Sequence, residues 1–283
     1  MEATNYAGKN NGYIGIMERE LHILVEAMKQ AGRQVLDLTG ESLSIHTKAD
    51  HSPVTTADWV VDRVIHEAVS RQFPDDGWLS EERPDDFDRL NKKRTWILDP
   101  IDGTRAFIKK IPEFCISAAL VENGFPVIAA ILNPSTYELF TAIRGRGTEF
   151  LQGANRQSQP AFQEDAPLVL VNPWDWRRGR FQTVTHQARC RPVGSIAFAL
   201  ANVAVGRAAA AVMLEGGNEW DVAAGVLLIE ENGGVITDIH GRPVRFNQPD
   251  PRLRGILATG RDADPSLRVT LGSLASPLPS PRL

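Results

Sequence analysis

Two carboxylates, Asp99 and Asp102, stand three residues apart directly after an apolar segment, Thr95 to Leu98. We interpret the segment as a β-strand, and the proline after Asp99 bars an immediate helix. On a tight bend both carboxylates can point into one pocket, where they repel each other unless a cation lies between them. Gly103 and Thr104 follow, and free backbone N–H groups at that position can bind an anion. A divalent metal beside an anion site is the minimum apparatus for phosphate chemistry.

Further acids stand out elsewhere in the chain: Asp58, Glu81 and Asp221, the last at a predicted helix start directly after Trp220. Mg²⁺ prefers near-octahedral oxygen coordination, which carboxylates from several loops can supply. The His-rich or Cys-rich spacing that selects zinc is absent from the sequence. Each acid taken singly is more readily a helix cap or a solvated side chain, so only their combination points to a site.

The composition is that of a soluble globular protein, with 283 residues of which 42% are hydrophobic and 23% charged. A net charge of −4 gives no indication of a nucleic-acid polymer as partner. Two cysteines do not make a disulfide framework, and Cys115 lies in an apolar run typical of a core. Because we find no bilayer-spanning apolar stretch and no secretion signal, we expect a cytoplasmic protein without a membrane partner.

The arrangement of apolar residues predicts an α+β first half. Helical periodicity runs through residues 14–38, and Thr55 or Thr56 is placed to cap a second helix. Three apolar runs separated by turn signals predict an antiparallel meander: Phe114 to Val121, Val127 to Leu132 and Leu139 to Ile143.

The second half alternates predicted strands and helices, which is typical of an α/β arrangement. We therefore predict an α+β domain over residues 1–155 that carries the meander and most of the acids. An α/β domain over residues 156–272 contributes Asp221 and a substrate wall. Residues 273–283 are rich in Ser and Pro, and we expect a disordered tail there.

Two long motifs resemble the signatures of the inositol monophosphatase superfamily, which includes fructose-1,6-bisphosphatases and 3′(2′),5′-bisphosphate nucleotidases. The string D-P-I-D-G-T at residues 99–104 is the first, and W-D-V-A-A-G at residues 220–225, followed by E-N-G-G at 231–234, is the second. The similarity extends from about residue 14 to 262, and two independent motifs in the right order are a specific signal. The resemblance implies an α-β-α-β-α layered fold and a metal-dependent phosphomonoesterase.

The resemblance also implies roles for particular residues. Two or three Mg²⁺ ions would be held by Glu81, Asp99, Asp102, Asp221 and the carbonyl of Ile101, with Asp99 bridging two ions. Thr104 would help to activate the attacking water together with Asp58 or Glu81, and we expect an Asp58–Thr104 hydrogen bond because a hydroxyl cannot act as a base alone. No covalent phosphoenzyme is expected. The predicted substrate and phosphate contacts are Lys48, Asp102, Gly103, Thr104, Gly194, Ser195, Glu215 and Asp221.

The choice of phosphate ester depends on weaker patterns. The string K-A-D-H-S-P-V-T-T-A-D at residues 48–58 and L-S-E-E at 79–82 resemble the bisphosphate nucleotidases. Inositol phosphatases usually place a sugar-binding Glu seven residues before the Asp of the second motif; that position is Leu214 here, with Glu215 one residue later. Our leading hypothesis is hydrolysis of the 3′-phosphate of adenosine 3′,5′-bisphosphate to give AMP and phosphate.

Several alternatives remain open at this point. Inositol 1-phosphate or another small sugar phosphate is the second hypothesis, and histidinol phosphate is the third. A non-catalytic relative that binds a phosphate ligand or a protein partner is disfavoured, because every matched acid is present. From the resemblance we also expect lithium inhibition and a homodimer.

Overall fold

The computed structural model describes residues 11–38, 43–48, 53–153, 155–156 and 166–275. The α-helices in these ranges are α1 (Asn11–Leu38), α2 (Thr56–Gln72), α3 (Thr104–Ile108), α4 (Pro173–Arg177), α5 (Ile196–Ala204), α6 (Glu219–Glu231) and α7 (Pro265–Gly272). Short 3₁₀ helices span Asp88–Asn91 and Ser273–Ala275. The strands are β1 (Ile45–Thr47), β2 (Pro53–Thr55), β3 (Gly77–Ser80), β4 (Arg94–Asp102), β5 (Cys115–Glu122), β6 (Phe125–Asn133), β7 (Glu138–Ile143), β8 (Thr148–Gln152), β9 (Asn155–Arg156), β10 (Leu168–Val171), β11 (Arg189–Pro192), β12 (Ala210–Met213), β13 (Val235–Asp238) and β14 (Ile256–Thr259).

Two large sheets organise the molecule. The first has seven strands in sequential order from β3 to β9; β3 and β4 are parallel, and the remaining neighbours are antiparallel. The second has five strands in the order β11-β10-β12-β14-β13, with a parallel part, β11-β10-β12, and an antiparallel part, β12-β14-β13. Strands β1 and β2 form a separate antiparallel pair.

Helices separate and cover these sheets in five layers. Helices α1 and α2 pack on one face of the seven-stranded sheet, and α5 and α6 pack on its other face. Helices α5 and α6 also contact the five-stranded sheet, whose outer face packs against α7. Three hydrophobic clusters fill the spaces between the layers. The predicted α-β-α-β-α fold is therefore confirmed.

The meander strands show why the sequence reads as continuous apolar runs. Every residue of Cys115–Glu122 is buried, because helices cover both faces of the sheet at this strand. A strand that is buried on both faces does not need an apolar and polar alternation. The antiparallel meander predicted from the three runs is confirmed, with the register Ala118 to Ala130 and Ala130 to Thr141.

The strand that carries the first acids differs from its prediction. It does not end at Leu98 but continues to Asp102, with a shift of register between Asp99 and Asp102 where it pairs with β5. The proline between the two acids is accommodated by this irregularity, since proline removes a ladder hydrogen bond and is tolerated at bulges. Gly103 follows in the left-handed region, at a φ of 92°.

The two halves of the chain share one core. The cluster between the sheets takes members from β4 and β5 of the first half and from α5, α6 and β12 of the second half. The division into domains at residue 155 stays a prediction. The first three residues of the predicted disordered tail, Ser273–Ala275, form a 3₁₀ turn, and residues 276–283 lie outside the described part of the chain. No helix within the described ranges is both long and apolar enough to cross a membrane.

Candidate active site

The parallel pairing of β3 and β4 places the first two acids at one edge of the sheet. Ser80 lies opposite Leu98 in the register, so Glu81 and Asp99 follow at the same ends of neighbouring strands. The backbone N–H of Glu81 donates to the carbonyl of Leu98 at 3.2 Å, which continues the pairing by one residue. Glu81 and Asp99, which are far apart in the sequence, therefore lie close together at the site.

Three carboxylates meet where β4 ends and α6 begins. Asp99, Asp102 and Asp221 each offer an oxygen atom within 4.8 Å of the others. Asp221 is held by a capping box at the start of α6, where its Oδ2 accepts the backbone N–H of Asn218 at 2.7 Å. Glu81 lines the same cavity as these three acids. The structure thus brings together the four acids that the sequence had singled out as metal ligands.

The beginning of α5 fixes the orientation of Asp102. Its Oδ2 accepts hydrogen bonds from the hydroxyl of Ser195 and from the backbone N–H of Ala197, both at 2.6 Å. The same hydroxyl accepts the N–H of Phe198 at 3.0 Å and so caps the helix. Ser195 is completely buried and is not among the described residues that line the cavity, and its place in the substrate wall stays a prediction. The observed contact is its support of an acid, a role for which the only sequence signal is a serine directly before a helix.

Burial and mutual repulsion raise the pKa of the clustered acids. Burial, with repulsion from Glu81 and the other acids, raises the pKa of Asp99 well above its ordinary value. Burial likewise raises the pKa of Asp102 to about 7, even though its hydrogen bonds oppose the shift. Burial and the charge of Asp102 raise the pKa of Asp221. Without a counter-ion, this group of carboxylates resists complete ionisation.

The donor set fits a hard divalent cation. The Oδ1 atom of Asp99 is buried and has no hydrogen-bond partner among the described residues. A buried polar atom without a partner calls for a ligand, and carboxylate oxygens are the donors that Mg²⁺ and Ca²⁺ prefer. Ile101, whose carbonyl is the fifth predicted ligand, also lines the cavity.

The hydroxyl of Thr104 has a different partner from the one expected. It donates to the carbonyl of Ile101 at 3.1 Å. Asp58 Oδ2 accepts the backbone N–H of Thr55 at 2.8 Å and its hydroxyl at 2.7 Å, which completes the capping box of α2. The expected Asp58–Thr104 hydrogen bond is therefore not formed between these described residues. Asp58 therefore acts as a helix cap, which is the role expected of this residue when it is considered on its own.

Lys48 lies beside two of the acids. Its Nζ donates to Glu81 Oε1 at 2.7 Å and also forms an ion pair with Glu82. Burial opposes the charged form of this lysine, but the two glutamates outweigh that effect and raise its pKa. Lys48 therefore stays positively charged and offsets part of the negative charge of the site.

A cavity of about 700 Å³ opens above the carboxylates. Gly103, Thr104 and Gly194, three of the predicted substrate contacts, line it. A side chain at Gly103 would collide with the carbonyl of Glu113, since a Cβ there would lie 2.9 Å from that oxygen. The left-handed backbone and the close approach both require glycine at this corner.

Glu215, a predicted substrate contact, lies elsewhere. Its exposed carboxylate pairs with Arg180 at 3.0 Å and with Arg178 at 3.3 Å. It is absent from the described residues that line the cavity. The neighbouring Leu214 is buried, and its N–H donates to Asp175 Oδ2 at 2.9 Å. Neither position presents a carboxylate to a substrate in this structure.

Sequence reasoning missed one side of the cavity. Trp174 and Arg177 of α4, Arg105 of α3 and Lys109 directly after α3 all line it. The available signal was the segment N-P-W-D-W-R-R at residues 172–178, where a proline after an Asx residue marks a helix start and aromatic side chains stand in polar surroundings.

The fold and the acidic site together define a metal-dependent phosphoric monoester hydrolase. Comparison with known proteins gives the more particular assignment. The sequence model of the inositol monophosphatase family matches residues 17–272, and the chain belongs to this family.

Individual relatives agree with that membership. The chain is 34% identical to an inositol-1-monophosphatase of Caulobacter vibrioides over 86% of its own length and 97% of the relative. It is 33% identical to a histidinol-phosphatase of Chlorobaculum parvum over 80% of its length and 88% of the relative. Among solved structures, the extragenic suppressor protein suhB of Bartonella henselae superposes with a TM-score of 0.74 at 30% identity, covering 90% of this chain and 97% of that one.

Proposed function

We propose that the protein is a Mg²⁺-dependent phosphomonoesterase that hydrolyses a small phosphate ester with water, using two or three ions. The observation that supports this most directly is the set of buried acids. One oxygen each of Asp99, Asp102 and Asp221 lies within 4.8 Å of the others, and Asp99 Oδ1 has no hydrogen-bond partner among the described residues. An open cavity lies above these acids. A buried cluster of like charges is stable in its ionised form only with cations present.

Glu81, Asp99, Asp102, Asp221 and the carbonyl of Ile101 are the residues that would hold the ions. When bound, Mg²⁺ supplies a Lewis acid that offsets the negative charge of the ester and favours ionisation of water. Gly103 and Thr104 line the cavity at the start of α3, and their backbone N–H groups would bind the phosphate. The ester bond breaks by attack of water, without a covalent link to the protein.

Glu81 is the better partner for Thr104 in orienting the attacking water. Both residues line the cavity, whereas Asp58 uses its Oδ2 to cap α2. A threonine hydroxyl is too weak a base to take a proton alone, so the glutamate must accept it. Lys48, paired with Glu81, holds that carboxylate at the edge of the site.

The substrate we place first is adenosine 3′,5′-bisphosphate, converted to AMP and phosphate. The strings at residues 48–58 and 79–82 support it, and the position of Glu215 outside the cavity speaks against a polyol contact of the inositol type. Inositol 1-phosphate is the second candidate and histidinol phosphate the third, since relatives carry names that specify these activities. We also propose that the protein is a cytoplasmic homodimer inhibited by lithium. Size-exclusion chromatography tests the dimer, and inhibition with LiCl tests the sensitivity to lithium.

Initial rates of phosphate release from the three esters test this proposal. Each would be measured with Mg²⁺ and with EDTA at equal enzyme concentration. We expect EDTA to abolish release and the bisphosphate to give the highest kcat/KM. Equal rates on all three esters would overturn the nucleotide assignment, and Mg²⁺-independent release or none at all would overturn the phosphatase mechanism.

A further inference from the structure

A group of cationic and aromatic side chains covers one side of the cavity, away from the carboxylates. We call Arg105, Lys109, Trp174 and Arg177 the cationic wall; all four line the cavity and are exposed. They come from α3 with the residue that follows it and from α4, two separate segments, so the wall is created by the tertiary fold. Nothing in the proposed mechanism uses them.

The three cations of the wall are electrostatically unsatisfied. Within the described ranges, Arg105, Lys109 and Arg177 have no carboxylate partner within 4.0 Å. The adjacent Arg178, by contrast, pairs with Glu215. The further acid that lines the cavity near the wall, Glu113, is already paired with Arg191. The positive charge of the wall is therefore available to a ligand.

Trp174 adds a flat apolar surface to this charge. Its side chain is 55% exposed, which is unusual for a tryptophan, and Arg177 lies 5.8 Å from the centre of its ring. The helix below it is fixed by a proline at its start and by Asn172, whose side chain accepts the N–H of Trp174 at 2.7 Å. A rigid exposed indole beside a guanidinium group suits stacking with a planar heterocycle.

Charge and size together select the class of ligand. The volume of about 700 Å³ leaves room for much more than the phosphate that the carboxylate site would process. Unpaired arginine and lysine side chains favour a second phosphate group, disfavour a cationic substrate, and gain nothing from a neutral polyol. We infer that the cationic wall binds the second phosphate and the base of a nucleoside bisphosphate, and so determines substrate specificity. This inference rests on the proposed function.

The alternative is that the wall only attracts the phosphate that reacts. A pair of substrates with the same scissile group separates the two cases: adenosine 3′,5′-bisphosphate and adenosine 3′-monophosphate. We expect wild type to prefer the bisphosphate through a lower KM. Arg177→Gln should reduce that preference about tenfold, because a charge-assisted contact to the second phosphate is lost. Trp174→Ala should raise KM for both nucleotides.

Two positions outside the cavity provide matched controls. Arg252→Gln removes an exposed cation that is paired with Asp250, and Trp176→Ala removes an indole that does not line the cavity. Both should leave the preference for the bisphosphate unchanged. The inference is overturned if wild type shows no preference, or if Arg177→Gln lowers kcat/KM for both nucleotides by the same factor.

A binding measurement separates this inference from the proposed function. AMP keeps the base and the second phosphate but lacks the scissile group, so its binding to the wall does not require hydrolysis. With EDTA present, AMP should raise the melting temperature of wild type and of Arg252→Gln but not of Arg177→Gln. Stabilisation by AMP without any phosphatase activity would overturn the proposed function alone. Activity without stabilisation by AMP would overturn the wall alone.

Discussion

At the scale of single residues, the most informative atom of the site is Asp99 Oδ1, which has no hydrogen-bond partner in the part of the chain that the structure describes. Its carboxylate is buried among other acids, and both burial and repulsion oppose its charge. Such an arrangement costs folding free energy in the absence of a cation. The buried acids therefore stabilise the fold less than apolar residues of the same size would. Such a cost is expected where residues serve function and not stability.

The substitution Asp99→Asn distinguishes an effect on metal binding from an effect on folding. We expect turnover to fall by more than about 100-fold, because even the outer residues of a metal site contribute about 10- to 100-fold. The metal-free variant should melt at a higher temperature than the metal-free wild type, since one buried charge is removed, and it should lose the stabilisation by Mg²⁺. Asp250→Asn, at an exposed acid paired with Arg252, is the matched control. Normal turnover in Asp99→Asn would refute the metal assignment.

Residue patterns single out the acids but not their supporting contacts. Asp99, Asp102 and Asp221 stand in two long motifs, which is why the sequence draws attention to them. The partners of Asp58 and the environment of Glu215 depend instead on distant segments. A carboxylate next to a helix start can cap that helix or face a cavity, and only the packed structure decides between the two.

At the scale of elements, helix α5 connects helix capping with the geometry of the site. Ser195 caps the helix and at the same time holds Asp102, and the N–H of Ala197 binds the same carboxylate oxygen. The positive end of the helix dipole thus favours the ionised form of an acid that burial would otherwise protonate. This arrangement could not be anticipated, because 93 residues separate the serine from the aspartate.

Removing that cap should weaken the fold and the metal site together. Ser195→Ala should cost about 1–2 kcal/mol of stability through the lost cap. It should also reduce the increase in melting temperature that Mg²⁺ produces, because Asp102 loses an orienting bond. Asp264→Ala removes the cap of α7, far along the chain from the acids, and serves as the control. If both variants show the same response to Mg²⁺, Ser195 acts only as a helix cap.

The elements that sequence periodicity identified are the long or continuously apolar ones. Helices α1, α2 and α6 and the meander were predicted, whereas α4 and the edge strands β9 and β11 were not. An edge strand such as Arg189–Pro192 is largely exposed and carries little apolar signal. Helix α4 has only five residues, too few to show a helical period. The unpredicted α4 carries half of the cationic wall.

At the scale of the whole molecule, the buried acids make stability depend on pH. The pKa of Asp102 is raised from 3.8 to about 7, mainly by burial, and burial raises that of Asp58 to about 7 as well. A carboxyl whose folded pKa is raised stabilises the fold fully below its ordinary pKa, and this contribution is lost as pH rises through about 7. The metal-free protein should therefore become less stable between about pH 4 and pH 7 on account of these groups.

Magnesium should reverse that trend, because the ion binds the deprotonated carboxylates and protons compete with it. We expect the increase in melting temperature on adding Mg²⁺ to be larger at about pH 8 than at about pH 6. Thermal unfolding with EDTA or MgCl₂ across this range measures the difference, and Asp99→Asn should show a flat response. A shift that is constant or shrinks with rising pH would contradict the role of the acids as ligands.

The middle helical layer has a mechanical consequence. Helices α5 and α6 belong to the second half of the chain, yet α5 steadies Asp102 of the first half and α6 supplies Asp221. Ions bound between these carboxylates would cross-link the two halves of the chain. A product that leaves by separating the carboxylates would also break this cross-link, so the strength of packing between the two sheets would help to set the turnover rate.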